Sequence, residues 1–586
     1  MQARTKILSL VLATGVAIAV GAGILWHAHT TQARLRARLP ATPDVSTQPA
    51  ALRVALRSAE KTALSTRHTL DGVAELGRLY HANGYNQEAA TCWRVLHQEQ
   101  PQEARWCYYL ADLHRAASDD AGAASLLDQT LRLAPDYAPA LLRLADLEFK
   151  TGALDTAERD YKRRLVLLPG DPYARLGLAR VALQSDRREE SRRLIEQIVR
   201  EVPAFATAHN LYAEMLAADG DAESANKQRW LARLAGRFRD ADDAWLEELR
   251  AWCYDPARLA VWASIDDLTG HGDRGAAFLE RAIKLAPNDP RNYDELGRIH
   301  LELGHPDKAR TQFELGIKLP DAASTLYVNL GQAYRDLHEP DRALQVAEQG
   351  LARMPDAAEL QNSRGMSLQS LGRLEEAVAA YRLAAERAPT VCEAHFNLGN
   401  ALLQLGRKDE GFASLKRVLE LKPSHPLALA MLGQSELEAG RLDAAAQYLR
   451  PLFTYYPETI IARRLMPRWC LQAGIAAAHA GRMTEAESTM REGVTISPDD
   501  PDLHGRLGLL YAQERRFAEA LDQLETYRRL QPAEPLAALF LGQVYADLNR
   551  TDDARRTLTD GARLASSAGQ PAIASKCEEL LRRLSP

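Results

Sequence analysis

Patterns that mark catalytic and metal-binding proteins are missing from this chain of 586 residues. Its six cysteines form no C-x-x-C pair, which excludes the usual zinc and thiol-redox motifs. The sequence also contains no H-E-x-x-H, no G-x-S-x-G and no glycine-rich phosphate-binding loop. We therefore expect that the protein is not an enzyme and that it uses no metal, no cofactor and no small-molecule substrate.

A strong charge of one sign is also missing. Basic and acidic residues number 73 and 78, and the isoelectric point is near 6.3. No run of lysine or arginine with interleaved aromatic residues marks a surface for phosphate backbones. The sequence therefore predicts that nucleic acid is not a partner.

Two of the cysteines, Cys92 and Cys107, are close enough in sequence to be considered as a disulfide. Small apolar positions inside helical proteins also suit reduced cysteine. We favour buried thiols over a disulfide at both positions.

One long hydrophobic run is present near the N-terminus. Ile7 to Trp26 is uncharged over 20 residues and follows Arg4 and Lys6. A helix of this length spans about 30 Å, the thickness of a bilayer core. The run predicts a transmembrane signal anchor, and the alternative is a cleaved signal peptide that ends near Val20-Gly21-Ala22.

The charges beside this run bear on its orientation. Arg34, Arg36 and Arg38 follow it, so positive charge is nearly even on its two sides. The short basic segment before it is typical of a signal anchor that leaves the rest of the chain outside the cytoplasm. We expect a single-pass protein of a bacterial inner membrane with its bulk in the periplasm, or a secreted or periplasmic protein after cleavage.

A fixed period of 34 residues runs through most of the chain. Prolines recur at this spacing in three series, Pro101, Pro135, Pro169 and Pro203, then Pro355, Pro389, Pro423 and Pro457, then Pro498 and Pro532. Such a period is typical of stacked helical units, in which each unit packs only on its neighbours.

Further series of small residues keep the same phase. One glycine series is Gly77, Gly297, Gly331, Gly365, Gly399, Gly433, Gly474, Gly508 and Gly542. An alanine series includes Ala89, Ala123, Ala157, Ala225, Ala309, Ala343, Ala377, Ala445, Ala486, Ala520 and Ala554. A second glycine series, continued by Asn549, is Gly84, Gly152, Gly220, Gly270, Gly304, Gly372, Gly406, Gly440 and Gly481. The first two series predict close contact between antiparallel helices, and the third predicts a left-handed residue that ends the first helix.

These residues resemble the tetratricopeptide repeat. The first-helix motif is matched by Tyr293-x2-Leu296-Gly297, Tyr327-x2-Leu330-Gly331-x2-Tyr334 and His504-x2-Leu507-Gly508-x2-Tyr511. The likeness extends from Leu70 to about Ala565. It implies an all-α protein, a right-handed α-solenoid of about fourteen helix-turn-helix units, with protein partners bound in its groove. Breaks in the period indicate two arrays, and the hydrophobic run adds an N-terminal transmembrane helix.

The units are expected to begin at Leu70, Ala104, Ala138, Pro172, Ala206, Pro256, Pro290, Ser324, Ala358, Cys392, Pro426, Pro467, Pro501 and Pro535. Pro203 to Pro287 spans two periods plus 16 residues, and Pro457 to Pro498 spans one period plus 7. At the larger break the unit begun at Ala206 loses its second-helix pattern, so we expect an irregular junction there.

This reading divides the chain into six parts. They are an anchor in 1–39 with its span at 7–26, a tether and lone helix in 40–69, an N-terminal array in 70–226, a tryptophan-rich junction in 227–255, a C-terminal array in 256–565 and a capping helix in 566–586.

The resemblance implies that positions two, five, six, nine and twelve of each first helix face the groove. In the central units these positions hold the amides Asn329, Gln332, Asn362, Asn397, Asn400 and Gln434. An amide donates and accepts hydrogen bonds, so a row of amides suits a peptide backbone of any sequence. The row is similar to the asparagine ladder of O-linked N-acetylglucosamine transferases, and the alternative is an ordinary solvated helix surface.

A second candidate surface is the predicted junction. It concentrates the large aromatic residues Trp230, Trp245, Trp252, Tyr254 and Trp262. Clustered aromatic residues favour interfaces when they are exposed. We favour the alternative, in which they fill the gap between the two arrays.

The function that we expect is that of a membrane-tethered scaffold that binds peptide segments of partner proteins and assembles a complex of the bacterial envelope. One alternative is a passive periplasmic component of polysaccharide or pilus export. Another is a regulatory subunit of a separate glycosyltransferase or lipid-synthesis enzyme.

Overall fold

The computed structural model describes residues 33–65, 68–235 and 241–584. Within these ranges every regular element is an α-helix and no strand occurs, as the all-α prediction requires. The chain divides into two compact units, Met1–Arg373 and Leu374–Pro586. The predicted junction at 227–255 lies inside the first of these units.

The helices of the first unit are α1 Ala50–Ala63, α2 Thr69–Ala82, α3 Asn86–Glu99, α4 Ala104–Ala116, α5 Asp120–Leu133, α6 Ala138–Lys150, α7 Leu154–Leu167, α8 Pro172–Gln184, α9 Arg188–Glu201, α10 Ala206–Ala218, α11 Ala222–Ala235, α12 Ala244–Arg250, α13 Pro256–Leu268, α14 Gly272–Leu285, α15 Pro290–Glu302, α16 Pro306–Gly316, α17 Ser324–Asp336, α18 Pro340–Arg353 and α19 Ala358–Ser370. From α2 to α11 and from α13 to α18, successive helices pair as hairpins.

The helices of the second unit are α20 Leu374–Arg387, α21 Cys392–Gln404, α22 Lys408–Leu421, α23 Pro426–Glu438, α24 Leu442–Tyr455, α25 Ile460–His479, α26 Met483–Ile496, α27 Pro501–Gln513, α28 Phe517–Leu530, α29 Pro535–Asp547, α30 Thr551–Ser567 and α31 Pro571–Arg583. Here α21 to α30 form hairpins, and α31 packs on α30. The first helices of the two units begin at the predicted residues, except that α2 begins one residue early and α25 begins elsewhere.

The prediction that a unit begins at Pro467 is wrong. The first helix of that unit, α25, begins at Ile460 and carries Pro467 in its interior. The seven residues by which the period is exceeded add two helical turns before the expected start, so the faces of the helix keep their phase. Proline is most common in the first turn of a helix, and for this reason Pro467 predicts a helix start that the structure does not have.

The unit begun at Ala206 has a regular second helix, although its second-helix pattern is lost in the sequence. Helix α11 pairs with α10 as in the other units. Ala225 and Trp230 on α11 are buried, with 0% and 6% of their surface exposed. The irregular part is therefore shorter than expected, and its described residues run from 241 to 255.

Small residues let the two helices of a repeat approach closely. A β-carbon at Gly297 would lie 2.3 Å from Cε1 of Phe313, the residue sixteen positions later. The same offset of sixteen places a large side chain over the glycine in the pairs Gly77 and Trp93, Gly399 and Leu415, Gly433 and Leu449, Gly474 and Met490, Gly508 and Leu524, and Gly542 and Leu558. This confirms the predicted close contact between the helices.

The turn inside each hairpin has a left-handed residue. Every glycine of the second series has a positive φ, from 72° to 87°, and Asn549 has 59°. Four repeats have another residue in this slot, and Ser118, Asp186, His338 and Arg515 each adopt a φ of 60° there. The turn is thus imposed by the hairpin even where the sequence gives no glycine.

We expect Arg515→Gly to stabilise the second unit by about 1 kcal/mol, because a left-handed conformation costs a residue with a β-carbon about that much. Arg515 is exposed, so little contact is lost. The measurement is urea unfolding followed by circular dichroism. As a matched control, Arg563→Gly on the exposed surface of α30 should lose about 1 kcal/mol, and equal effects of the two changes would contradict the prediction.

The part of the chain before the repeats also packs on them. Helix α1 buries Leu52 and Leu56 in the cluster formed by α2 and α3, and Ala63 lies so close to Gly72 that no β-carbon fits there. The predicted membrane span at 7–26 lies outside the described residues. Among the helices that are described, none is long and apolar enough to cross a bilayer.

All six cysteines are free thiols, including Cys92 and Cys107. Burial raises the pKa of the Cys92 thiol to about 12 and that of Cys107 to about 11. Cys107 lies 3.2 Å from Nδ1 of His97, a spacing that would suit a nucleophilic pair. Because this thiol stays protonated near neutral pH, the pair has the character of a buried contact in the core.

Candidate functional site

The segment at 241–255, which leads into α13, lies across the first helices of the N-terminal repeats. Its short helix α12 is capped by Asp243, whose carboxylate accepts a hydrogen bond of 3.2 Å from the Leu246 N–H. Leu249 of α12 is buried in the cluster that α2, α4 and α6 share, and Trp245 and Trp252 pack against it. The segment thus occupies the groove formed by these three helices.

Asp243 is the most buried charge in this contact, with 6% of its surface exposed. Tyr137 donates a hydrogen bond of 2.7 Å to its carboxylate, Tyr108 donates another, and Arg143 forms an ion pair at 3.0 Å. Burial, and secondly the charge of Asp243, raise the pKa of the Tyr137 phenol. The phenol therefore remains a donor, and the carboxylate is satisfied by three groups of the groove.

Trp245 is the aromatic anchor of the segment. Its ring stacks on Tyr137 with the centroids 3.6 Å apart and the planes at 12°, and Tyr108 meets it edge-on at 5.4 Å. The backbone of the same residue is held at both ends, because its N–H donates to the Tyr137 hydroxyl and its carbonyl accepts from Tyr109. Such aromatic contacts contribute about 0.5–1.5 kcal/mol beyond the area that they bury.

Glu248 faces two arginines of the groove. Its carboxylate lies 3.2 Å from Arg105 and 3.5 Å from Arg78. The side chains of Glu248 and Arg105 are about two-fifths exposed, so these pairs stabilise the contact by less than about 1 kcal/mol. These ion pairs favour an acidic residue at position 248, but they add little to the strength of the contact.

Asn83, which follows α2, recognises the backbone of the segment. Its Nδ2 donates to the Trp252 carbonyl at 2.9 Å, and its Oδ1 accepts from the Tyr254 N–H at 2.7 Å. Next to it, Ala82 packs with Cys253 and Leu259. An amide thus holds an extended stretch of backbone by both its donor and its acceptor.

Asn83 is not among the groove residues predicted from the sequence. It lies at the end of α2 and outside the five groove positions that the resemblance implies. Five residues that touch the segment do occupy those positions, namely Arg78 at position nine, Arg105 at two, Tyr108 at five, and Tyr109 and Arg143 at six, counted from Leu70, Ala104 and Ala138. Position within the period was the signal that could have identified these five.

Three of the predicted amides lie in the first unit, and all three are half-buried. Asn329 donates a hydrogen bond of 2.7 Å to Asp294 on the preceding first helix. Gln332 donates to Asp336 and accepts from Arg335, each at 2.6 Å. Asn362 lies with its Nδ2 3.9 Å from the sulfur of Met366. These amides are hydrogen-bonded along and between first helices.

The other three amides lie in the second unit and are also half-buried. Asn397 and Asn400 are on α21, one helical turn apart, and Gln434 is on α23. Gln434 donates a hydrogen bond of 2.8 Å to Glu438 on the same helix. Each unit therefore presents its own short group of amides.

The aromatic residues of the predicted junction lie within the first unit. Trp230 is buried on α11, and Trp262 on α13 packs against Phe278 with the ring centroids 5.9 Å apart. Trp252 lies beside the guanidinium of Arg78 at 5.7 Å. Tyr254 is half-buried next to Asn83.

The part of the chain that the structure describes contains no metal-binding site. No group of three or more histidine, cysteine, aspartate or glutamate side chains there is placed to hold an ion. The charges in the groove are instead paired with one another across the segment.

A family model described as tetratricopeptide repeat matches the sequence over more than half of its length. The matches are residues 75–138, 110–174, 176–226, 328–391, 396–452, 430–501 and 506–571. The matched ranges end at residue 226 and resume at residue 328, so they omit the segment that lies in the groove. No curated protein matches the sequence.

Several solved structures are similar to this chain. YrrB, described as a TPR protein with an unusual peptide-binding site, is 21% identical, covers 32% of this chain and 97% of its own, and gives a TM-score of 0.25. The APC/C hetero-tetramer Cut9–Hcn1 is 16% identical over 84% of this chain and 98% of its own, with a TM-score of 0.28. Pseudomonas aeruginosa PilF is 18% identical over 36% and 94%, with a TM-score of 0.30. The likeness is one of fold.

Proposed function

Because this chain belongs to the tetratricopeptide repeat family, we propose that it is a scaffold that binds peptide segments of partner proteins on the first-helix faces of its repeats. The observation that carries the proposal is the segment at 243–254, which is bound by side chains at the groove positions of α2, α4 and α6. A surface that binds a peptide of its own chain in this way has the chemistry to bind a peptide of another.

The amides of the later repeats provide a further surface of this kind. In the first unit it is formed by Asn329, Gln332 and Asn362, and in the second by Asn397, Asn400 and Gln434. The hydrogen bonds of Asn329 to Asp294 and of Gln434 to Glu438 join polar groups that water also reaches. Exchanging such a bond for one to a peptide backbone changes the free energy by only about 1 kcal/mol, so these side chains can turn to a ligand at low cost.

We also propose that the scaffold is tethered to a membrane. The support is the uncharged run from Ile7 to Trp26 with Arg4 and Lys6 before it. In this arrangement the repeats face the periplasm of a bacterium and assemble a complex of the envelope, without catalysis. Confinement to a surface and several weak contacts together raise the affinity for a partner with many segments.

The test of the amide surface is capture of partners by the full-length protein in detergent. We expect the triple variant Asn329→Ala, Asn397→Ala, Asn400→Ala to capture at least about tenfold less of a partner that the wild type captures, because about 1.4 kcal/mol of lost hydrogen bonding has this effect. Captured proteins are identified and quantified by mass spectrometry. Circular dichroism checks that the helicity of the variant is unchanged.

The matched control replaces three exposed amides on second helices, Gln345, Gln349 and Gln447, with alanine. This variant loses the same number of amides from the opposite side of the hairpins and should capture as the wild type does. If the first triple variant captures the same partners in the same amounts, the amide surface is not a binding site.

A further inference from the structure

We propose that the groove of α2, α4 and α6 is a binding site for a partner segment that carries an aspartate, a tryptophan two residues later and a glutamate three residues after that. Residues 243–254, which hold Asp243, Trp245 and Glu248 in this spacing, occupy the site as an internal copy of that ligand. The inference rests on the proposed function, because it assumes that first-helix faces bind peptides. The inference adds which residues the partner segment carries, and that this segment competes with residues 243–254 for the groove.

The contacts of the segment have the character of ligand recognition. Helix pairs within the repeats are joined by apolar side chains, such as Phe313 against Gly297. The segment also buries Leu249, and in addition directed polar groups hold it, in which Asn83 and Tyr109 bind its backbone and Arg143 binds a carboxylate. Helix α12 has seven residues, which is too short to be stable alone, so the groove imposes its conformation.

Each of the three side chains meets a different part of the groove. The carboxylate of Asp243 is short enough to cap α12 and to accept from Tyr137 in the same position. The ring of Trp245 covers the face of Tyr137. Glu248, one and a half turns later, reaches the arginines at the edge of the groove. The spacing therefore encodes about one and a half helical turns with an acid at each end and an aromatic residue between them.

Charge in the groove selects the same ligand. Arg78, Arg105 and Arg143 all face the segment. The acidic groups beside them include Asp112, which pairs with Arg143, and Glu103, which lies 3.9 Å from Arg105. Asp112 is shared with His81 and Arg115, so it neutralises Arg143 only in part. The partner of this site is thus an acidic segment with an aromatic anchor.

The internal copy sets a threshold for the partner. A ligand on the same chain acts at an effective concentration on the order of millimolar, and an outside ligand must compete with it. The apparent affinity of the outside ligand is its intrinsic affinity multiplied by the fraction of molecules in which the groove is open. The segment is held by noncovalent contacts, so the competition is reversible.

The experiment measures binding of a fluorescent synthetic peptide with the sequence of residues 243–254, in which serine replaces the cysteine. Three forms of the full-length protein in detergent are compared. They are the wild type, a segment variant with Trp245→Ala and Glu248→Ala, and a groove variant that adds Asn83→Ala and Arg105→Ala to the segment variant. A peptide of the same composition in scrambled order is the ligand control.

We expect the segment variant to bind the peptide about 10- to 100-fold more tightly than the wild type, because its own copy competes less well. The groove variant should lose this binding, and the scrambled peptide should bind to none of the three. Circular dichroism must show equal helicity in all forms. Binding of the peptide by the wild type and the segment variant with equal affinity would overturn the proposal, and so would absence of binding to both.

A second measurement on the wild type keeps the proposal testable if a variant does not fold. Excess peptide should speed hydrogen exchange at the amides of α12 while exchange in α6 is unchanged or slower. Unchanged exchange in α12 at peptide concentrations of about 1 mM would show that the segment is a fixed brace. This failure is distinct from failure of the proposed function, because capture of partners through Asn329, Asn397 and Asn400 is measured separately.

Discussion

Replacing Asp243 with alanine is expected to release α12 from the groove, with a loss of about 3 kcal/mol in the free energy that holds it there. The carboxylate is buried and receives Tyr108, Tyr137 and Arg143. Removing it leaves two buried hydroxyl groups without this acceptor and removes the cap of the helix. The cost lies at the low end of the range for buried charge pairs, because Arg143 keeps Asp112 as a partner.

Hydrogen exchange of the amides in α12, followed by mass spectrometry, measures this effect. The matched control is Asp242→Ala, which removes the same charge from the neighbouring position. Asp242 is exposed, so this variant should stay within about 0.5 kcal/mol of the wild type. Protection of α12 that is equal in the two variants would show that Asp243 does not hold the segment.

The second large effect is expected at Gly297. A β-carbon there would lie 2.3 Å from the ring of Phe313, which is fully buried. Overpacking of this kind costs up to about 3 kcal/mol, and the better helix propensity of alanine returns about 1 kcal/mol. We therefore expect Gly297→Ala to destabilise the first unit by about 2 kcal/mol.

Gly331, the equivalent glycine of the next repeat, provides a matched control. Sixteen residues after Gly331 stands Ala347, and the atom nearest to a β-carbon at Gly331 is the Ser363 hydroxyl at 3.0 Å. That hydroxyl has no hydrogen-bond partner and can rotate away. Gly331→Ala should therefore stay within about 1 kcal/mol of the wild type. Thermal unfolding followed by circular dichroism ranks the two variants, and a larger loss at Gly331 would contradict the packing described.

The repeats could be predicted because their markers are local and recur. Glycine, alanine and proline at a spacing of 34 each report a constraint within one hairpin, and the structure meets that constraint in almost every unit. The two departures lie where one marker stands alone. Pro467 predicts a helix start although α25 begins two turns earlier, and the expected junction at 227–255 overlaps α11 because no proline follows that helix at the expected distance.

The groove and its occupant could not be predicted in this way. Asn83 meets Trp252 and Tyr254 across 169 and 171 positions, and no periodic signal links residues so far apart. An amide does bind peptide backbone in the structure, because Asn83 donates to the Trp252 carbonyl and accepts from the Tyr254 N–H. Asn329 and Gln332 donate hydrogen bonds to side chains of their own unit, and their role toward a partner stays a prediction.

The contact of Asn83 with residues 252–254 bears on how the first unit folds. An open stack of repeats unravels from its ends, because a terminal repeat has a neighbour on one side only. Here Ala82 and Asn83 of the first repeat are packed and hydrogen-bonded to the chain that leads into the sixth, so both ends of this stretch are held. Closing so long a loop raises the contact order and slows folding, although the entropy of closure grows only with the logarithm of loop length. The first repeats should therefore unfold together, with the cooperativity of a globular domain.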